Sequence, residues 1–167
     1  PPDFTTFWNQ ASQQGFKPKV ASIGKAILFP VAVEALGKNG NNLSSEVWWT
    51  PHHPFKSSLT GQSAQALSDA YEKSSGKQWT QPIGFVHSLF EVAVDVMKRT
   101  SDIGDNKAVV KSIASTKLNT VVGPIDLKTH IRENQWGAGQ WQDGQFVGVA
   151  PSAMPGAKPV IFPKPAW

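Results

Sequence analysis

The chain has no cysteine among its 167 residues, and it has only one tyrosine and two methionines. Without cysteine, disulfide bridges, thiolate metal sites and thiol nucleophiles are excluded, while a reducing cytosol and an export route without bridges both stay open. No apolar run reaches the ~18 residues of a membrane span, and the sequence shows no signal peptide. These absences favour a globular fold and leave the compartment undecided.

An initiator methionine is also lacking, because the chain begins Pro1-Pro2-Asp3. A start of this kind remains when upstream sequence has been processed, cut away or left out. We therefore expect the chain to be the C-terminal portion of a longer protein.

Positive charge does not cluster along the chain. The 16 lysines and arginines outnumber the 12 acidic residues and give a formal net charge of +4, but only Lys98 and Arg99 are adjacent. Nucleic-acid-binding domains concentrate basic residues on one face or stripe. A nucleic-acid partner is therefore not predicted.

The four histidines do not form a metal-binding pattern. His52 and His53 are adjacent, and adjacent side chains of an extended segment point to opposite sides. His87 and His130 are distant in sequence, and no His-Glu-x-x-His helix or cysteine pair completes a site. We predict no metal and no cofactor.

Catalytic patterns are equally weak. The chain has no Gly-x-Ser-x-Gly motif, and Ser57-Ser58 lies in polar surroundings with no nearby base indicated. Glu91 lies on the predicted polar side of its helix, where solvation or an ion pair is the simpler role. The sequence therefore predicts no catalytic residues.

Helical and extended segments alternate along the chain, which favours an α/β fold with parallel sheets flanked by helices. Its 40% hydrophobic content, with seven tryptophans and nine phenylalanines, argues against disorder. Helices are predicted at 4–14, 30–36, 60–76, 86–97 and after Asp105; strands are predicted at 19–23, 45–50 and 120–127; a hairpin turns at Asp143-Gly144; and an extended tail follows residue 150.

Distinctive residues fall at the predicted strand ends, where open α/β sheets bind ligands. Lys25 stands in apolar company, so it either meets an anionic ligand or extends along the surface to solvent. Trp48 and Trp49 alternate across their strand, so one ring should enter the core while the other faces outward or into a groove. The third strand end is the Pro/Gly-marked segment 81–87.

Taken in order, several segments resemble the substrate-binding proteins of ABC transporters, in the type I periplasmic family of branched-chain amino acid receptors. The resemblance covers nearly all residues up to about 149 and corresponds to the C-terminal part of a receptor. The segments that carry it are Pro1-Pro2-Asp3-Phe4, Gly15-Phe16-Lys17, Gly84-Phe85-Val86-His87-Ser88-Leu89, Thr120-Val121-Val122-Gly123-Pro124-Ile125 and Gln140-Trp141.

The resemblance implies a two-lobed α/β fold that closes over a solute between its lobes. It assigns 1–80 to part of the second lobe, 81–138 to part of the first, and 139–167 to a return to the second lobe with an extended tail. It implies a non-enzymatic, periplasmic or extracytoplasmic component of an importer, with a membrane permease as partner and a signal peptide upstream. A membrane-receptor sensor domain, and less readily a sugar-binding or hydrolase domain, stay open as alternatives.

One departure from the family pattern narrows the expected solute. Where amino-acid-binding members place an acidic residue for the ligand ammonium, an ungapped match places Gly24-Lys25. A cation there suits a carboxylate, so we expect a small organic acid, with aromatic acids among the candidates, and amino acids still open. The predicted ligand-binding residues are Lys25, Trp49, Phe4, His52, Gln81 and Phe85.

Overall fold

A computed structural model describes residues 2–131 and 136–165 of the chain. The α-helices are Pro2–Gln13 (α1), Pro30–Glu34 (α2), Ala64–Ser75 (α3), Gln81–Arg99 (α4) and Asn106–Ala114 (α5). The strands are Ser44–Val47 (β1), Lys117–Thr120 (β2), Gly123–Asp126 (β3), Gly137–Gln142 (β4) and Gln145–Ala150 (β5), and 3-10 turns lie at Lys25–Ile27 and Gly37–Gly40.

The chain divides into two compact units. The first consists of residues up to Val47 together with those from Trp136 onward, and the second runs from Trp48 to Gln135. The assignment of 1–80, 81–138 and 139–167 to lobes of a receptor stays a prediction. Within the described ranges, no helix combines the length and the apolar character needed to cross a bilayer.

The first unit is built on a three-stranded antiparallel sheet in the order β1-β4-β5. The predicted hairpin is confirmed, because Asp143 and Gly144 both adopt positive φ angles and join β4 directly to β5. Trp141 of β4 is buried, and its indole Nε1 donates to the carbonyl of Ile27 at 2.9 Å. The sheet is thereby tied to the loop after the predicted first strand.

The predicted mixture of helices and sheets is observed, but parallel pairing of strands is scarce in the described residues. The predicted strand at 19–23 forms a single parallel bridge, between Ser22 and Ser44, and every pairing of named strands is antiparallel. For two of the three pairings the reason lies in the connections. β2 and β3, like β4 and β5, are separated by only two residues, and so short a link permits only antiparallel pairing.

The C-terminal tail of the first unit packs against α1. Trp8 is the buried residue of α1, and its Nε1 donates to the carbonyl of Asn39 at 2.8 Å. The Lys164 Nζ lies 5.9 Å from the Trp8 ring centroid, and its backbone N–H donates to the carbonyl of Lys19. The tail is therefore an integral layer of this unit, although residues 151–157 form turns before it extends.

The second unit has a core of five buried residues in the loop after β1, in α3 and in the β2–β3 hairpin: Trp49, Ala64, Val121, Val122 and Ile125. The helix α4 packs on this core through Gly84. A Cβ at that position would overlap the Trp49 ring, so only glycine permits this approach.

Three predicted boundaries in the second unit are wrong. The cap of α3 is Ser63, whose hydroxyl accepts from the Ala66 N–H, and not Thr60. The predicted strand at 120–127 is the hairpin β2–β3, because Gly123 adopts a φ of 107° and reverses the chain. The segment 81–87 is the start of α4, since Pro82 occupies its first turn, where a missing N–H costs nothing.

Candidate functional site

The start of α4 brings together two of the predicted ligand residues, Gln81 and Phe85, with Trp48. Gln81 is buried, and its Oε1 accepts from the backbone N–H of Trp48 at 2.6 Å. The rings of Trp48 and Phe85 lie 5.2 Å apart at an interplanar angle of 54°. This aromatic pair is half-buried. It offers ring edges and faces to an apolar or aromatic group.

The neighbouring Trp49 occupies the core. Its side chain is 0% exposed, packs against Gly84 and meets Trp79 edge to face at 5.9 Å. One ring thus enters the core while the other stays half-buried, although both lie in the loop after β1 and not in the predicted strand 45–50. Contact between Trp49 and a ligand stays a prediction, and the observed position favours Trp48 as the ring that a ligand can reach.

His52 lies on the surface of the same unit. Its backbone N–H donates to the Thr50 hydroxyl at 3.3 Å, while its side chain is exposed. In the same turn, the backbone N–H of Thr50 donates to Nδ1 of the His53 ring. A ligand contact by His52 stays a prediction.

The first unit holds the other two predicted ligand residues. Lys25 is exposed at the start of a 3-10 turn that follows Gly24. A Cβ at Gly24 would lie 3.9 Å from the Glu46 carboxylate, so an acidic group stands close to the residue that precedes Lys25. Phe4 is half-buried and stacks on Trp8 with centroids 5.7 Å apart. Because Trp8 is the buried residue of α1, the Phe4 ring is part of the packing of that helix.

Sequence reasoning missed a polar clamp between α4 and the loop before α3, which consists of His87 and Glu91 on the helix and Ser57 and Ser58 on the loop. The Ser57 hydroxyl lies 2.7 Å from His87 Nε2. Glu91 accepts from both the backbone N–H and the hydroxyl of Ser58. The sequence does carry a signal for this clamp. His87 and Glu91 are spaced i, i+4 on one helix, and Ser57 and Ser58 are consecutive in a loop.

Glu91 corrects an expectation, because it is fully buried and not on a solvated face. Its second oxygen accepts from the backbone N–H of Val121 at 2.9 Å. Hydrogen bonds from two separate loops replace the water that a buried carboxylate loses. The expectation failed because the other side of α4 is apolar and exposed.

The Ser57–His87 pair resembles a nucleophile with its base, but its geometry is that of a loop brace. The Ser57 oxygen already accepts from the backbone N–H groups of Leu59 and Thr60 at 3.1 Å each. Ser57 as a residue is 4% exposed, so an incoming carbonyl carbon would have neither a free lone pair nor room. The pair therefore holds the loop in shape.

A groove of about 680 Å³ lies on the β2–β3 hairpin, and none of the predicted ligand residues lines it. Two of its three charged residues form an ion pair, because Lys117 Nζ lies 3.4 Å from the Asp126 carboxylate, and Lys128 is the third. The Lys128 backbone N–H, and then the Lys117 side chain, lower the pKa of Asp126. Paired and exposed charges make this groove a weaker solute site than the aromatic pair. Over the described ranges, no three histidine or acidic side chains converge as a metal site.

Comparison with known proteins places these units in a larger fold. Residues 1–145 match the family model described as periplasmic binding protein. A search of curated proteins found no match. Solved structures match over most of the chain.

Three of these structures come from Thermotoga maritima and Rhodopseudomonas palustris. A leucine binding protein from Thermotoga maritima has a TM-score of 0.69 at 18% identity, over 89% of this chain and 41% of its own. An extracellular ligand-binding receptor from Rhodopseudomonas palustris HaA2 gives 0.69 at 16% identity, over 87% and 44%. A solute-binding protein from R. palustris, in complex with benzoate, gives 0.58 at 14% identity, over 95% and 49%.

At these identities the structures show the fold alone, which is that of two-lobed type I periplasmic binding proteins. The chain spans less than half the length of each of the three. The resemblance read from the sequence is confirmed, since the family model covers the same region as the motifs. The chain belongs to the periplasmic binding protein family.

Proposed function

We propose that this chain is part of the extracytoplasmic solute-binding component of an ABC importer, and that the solute is a small organic carboxylate. The observation that carries the proposal is the exposed cation Lys25 in a chain of this family. A lysine exposed on a short turn can offer its ammonium to a carboxylate in a charge-assisted hydrogen bond.

The aromatic pair Trp48 and Phe85 supports an apolar or aromatic body for the solute. Its rings are half-buried and tilted, which leaves ring surface for a further contact. The benzoate bound by the R. palustris relative is an example of such an acid. The leucine binding protein from T. maritima represents the alternative class of solute, the amino acids. Glu46 lies close to Gly24, and its carboxylate could accept a hydrogen bond from the ammonium of an amino acid. Amino acids therefore stay open as the alternative solute.

The mechanism is capture by closure, with no covalent step. A solute that contacts both lobes favours the closed arrangement, and a membrane permease recognises that arrangement. Micromolar affinity requires about 8 kcal/mol, which one desolvated ion pair, a few hydrogen bonds and one or two ring contacts supply. The buried Ser57 brace supports a non-enzymatic role, because its hydroxyl serves the loop.

Titration calorimetry on the full-length gene product tests the proposal. Small carboxylates, including benzoate, and amino acids, including leucine, form the ligand panel. We expect carboxylate binding that weakens by about 2 kcal/mol or more in Lys25→Met, because a charge-assisted contact is lost. Lys38→Met is the matched control, since Lys38 is an exposed lysine in another 3-10 turn of the same unit.

Equal affinity of Lys25→Met and Lys38→Met for the carboxylate would remove Lys25 from the site. Binding of amino acids alone would move the solute to the alternative class. Turnover of any ligand in the panel would contradict the non-enzymatic role.

A further inference from the structure

The two methionines of the chain lie in different environments. Met97 is near the end of α4, and 62% of its surface is exposed. Met154 is half-buried and lies within residues 151–157, which form consecutive turns after β5 and which we call the 151–157 turn. A chemical change at Met154 therefore disturbs packed structure, whereas the same change at Met97 meets solvent.

Met154 fills a gap that two glycines leave on the three-stranded sheet. A Cβ at Gly148 would lie 2.6 Å from the Met154 Cε and 3.4 Å from its Sδ. A Cβ at Gly137 would lie 3.4 Å from the same Cε, and Gly137 pairs with Val47 of β1. The methyl group thus takes the space of two missing side chains, and a flexible thioether suits so irregular a gap. We call the surface formed by Gly137, Gly148 and Val47 the glycine seat.

The seated side chain fixes the turn that leads from the sheet to the tail. The Met154 N–H donates to the carbonyl of Pro151, and the Met154 carbonyl accepts from the Ala157 N–H, both at 2.9 Å. The N–H of Lys158 then donates to the carbonyl of Gly148 at 2.8 Å. The turn therefore closes on the same glycine that the thioether covers.

Beyond the turn, two side-chain amides hold the tail. The Gln140 amide donates to the carbonyl of Ile161 at 3.1 Å and accepts from its N–H at 2.9 Å. The Gln142 amide donates to the carbonyl of Pro159 at 2.9 Å. The apolar side chains of residues 160–162 are exposed, so this stretch gains little from burial. Its attachment depends on a few hydrogen bonds and on the turn that positions it.

We propose that Met154 is an oxidative modification site, and that oxidation of its thioether by a peroxide releases the 151–157 turn and loosens the tail. The sulfur lone pair attacks one peroxide oxygen, so that an S–O bond forms while the O–O bond breaks. The leaving hydroxide takes up the proton of the transferred hydroxyl and departs as water. Sulfur is oxidised by two electrons, the peroxide is reduced, and the product is methionine sulfoxide.

The glycine seat suits the thioether and disfavours the sulfoxide. Neither the two glycines nor Val47 has a side-chain donor for the new oxygen, and β4 and β5 use their backbones to pair with each other. A polar oxygen is unfavourable in such a place, whereas solvent at the exposed part of the turn satisfies it. The chain has no cysteine, so its thioethers are its readily oxidised sulfur atoms. The inference does not depend on the solute.

Hydrogen exchange followed by mass spectrometry on the full-length gene product tests the proposal, with hydrogen peroxide as the oxidant. Met97→Leu keeps the thioether of Met154, and Met154→Leu is the matched control that keeps Met97. The reporters are the bonded N–H groups of Lys158, Ile161 and Lys164. After peroxide we expect exchange of these groups to become about tenfold faster or more in Met97→Leu, and to stay unchanged in Met154→Leu, since exchange reports local opening.

Two further measurements separate the modification from general damage. A methionine sulfoxide reductase should restore slow exchange in oxidised Met97→Leu, as a dithiol becomes a disulfide and the oxygen leaves as water. Met154→Gln places a polar side chain of similar length on the glycine seat, so its tail should exchange fast without peroxide. This variant tests the inference even if leucine does not fit the seat.

Three results would overturn the inference. One is slow exchange in Met97→Leu after the peptide mass shows complete conversion of Met154 to the sulfoxide. Another is equal acceleration in Met154→Leu, because the effect would then arise elsewhere in the protein. The last is a Met154 that stays unoxidised in the native protein under peroxide that converts Met97 completely.

Discussion

The carboxylate of Glu91 accepts a hydrogen bond from the backbone N–H of Val121 at 2.9 Å, which joins the middle of α4 to the turn of the β2–β3 hairpin. Its other oxygen holds Ser58, so one side chain fixes two loops against one helix. Within the described ranges Glu91 forms no salt bridge, and hydrogen bonds alone compensate its buried charge. Glu91 is therefore a structural centre of the second unit.

Replacement of Glu91 by alanine should destabilise the chain by about 3 kcal/mol, because two backbone N–H groups and one hydroxyl lose a charged acceptor. Urea unfolding followed by circular dichroism measures the loss. Asp69→Asn, on the exposed face of α3, is the control and should change stability by less than about 0.5 kcal/mol. Equal midpoints for the two variants would contradict the structural role of Glu91.

Substitution of Gly84 by alanine should cost about 2 to 3 kcal/mol, because the added methyl group would enter the Trp49 ring and push α4 away. Thermal unfolding monitored by tryptophan fluorescence reports the change. Gly104→Ala is the control, since its added methyl group would meet only the side chain of Asp102. The packing model fails if the two alanine variants melt together.

A double-mutant cycle of Ser57→Ala and His87→Ala should give a coupling energy of about 1 kcal/mol, because each residue is the hydrogen-bond partner of the other. Ser57→Ala should cost more than His87→Ala, since it also frees the N–H groups of Leu59 and Thr60. Unfolding free energies of the four proteins measure the cycle. Strict additivity would show that the 2.7 Å contact contributes nothing.

The tail residue Lys164 should make stability depend on alkaline pH. Burial lowers its pKa below the ordinary 10.5, so the unfolded chain binds more protons than the folded chain between the two values. Stability therefore rises as the pH rises through this window, and the penalty of burying the charge is fully present below it. Lys164→Met should flatten this slope, as measured by urea midpoints from pH 8 to pH 10.5, whereas the exposed Lys158→Met should keep it.

Local chemistry was sufficient for elements that depend on a few neighbouring residues. Asp105 caps α5, with its side chain accepting from the Lys107 N–H, and Asp143-Gly144 turns the last hairpin. Both follow from the side chains themselves, since a carboxylate satisfies a free N–H and glycine tolerates positive φ. The order of such elements also sufficed to indicate the family.

Tertiary packing decided what local patterns left open. Ser63 and Thr60 are both good caps, and the bridge between Lys56 and Ser63 selects Ser63. The burial of Glu91 depends on loops some thirty residues away in either direction, which no helical period reveals.

The sequence by itself determined the helices, the final hairpin and the membership of a receptor family, because periodicity, caps and turn residues act over short distances. Only the tertiary structure decided which ring of Trp48 and Trp49 is buried and which side of α4 faces outward. Those choices depend on contacts between distant segments, where a hydrogen bond or a glycine-sized gap outweighs local hydrophobic pattern.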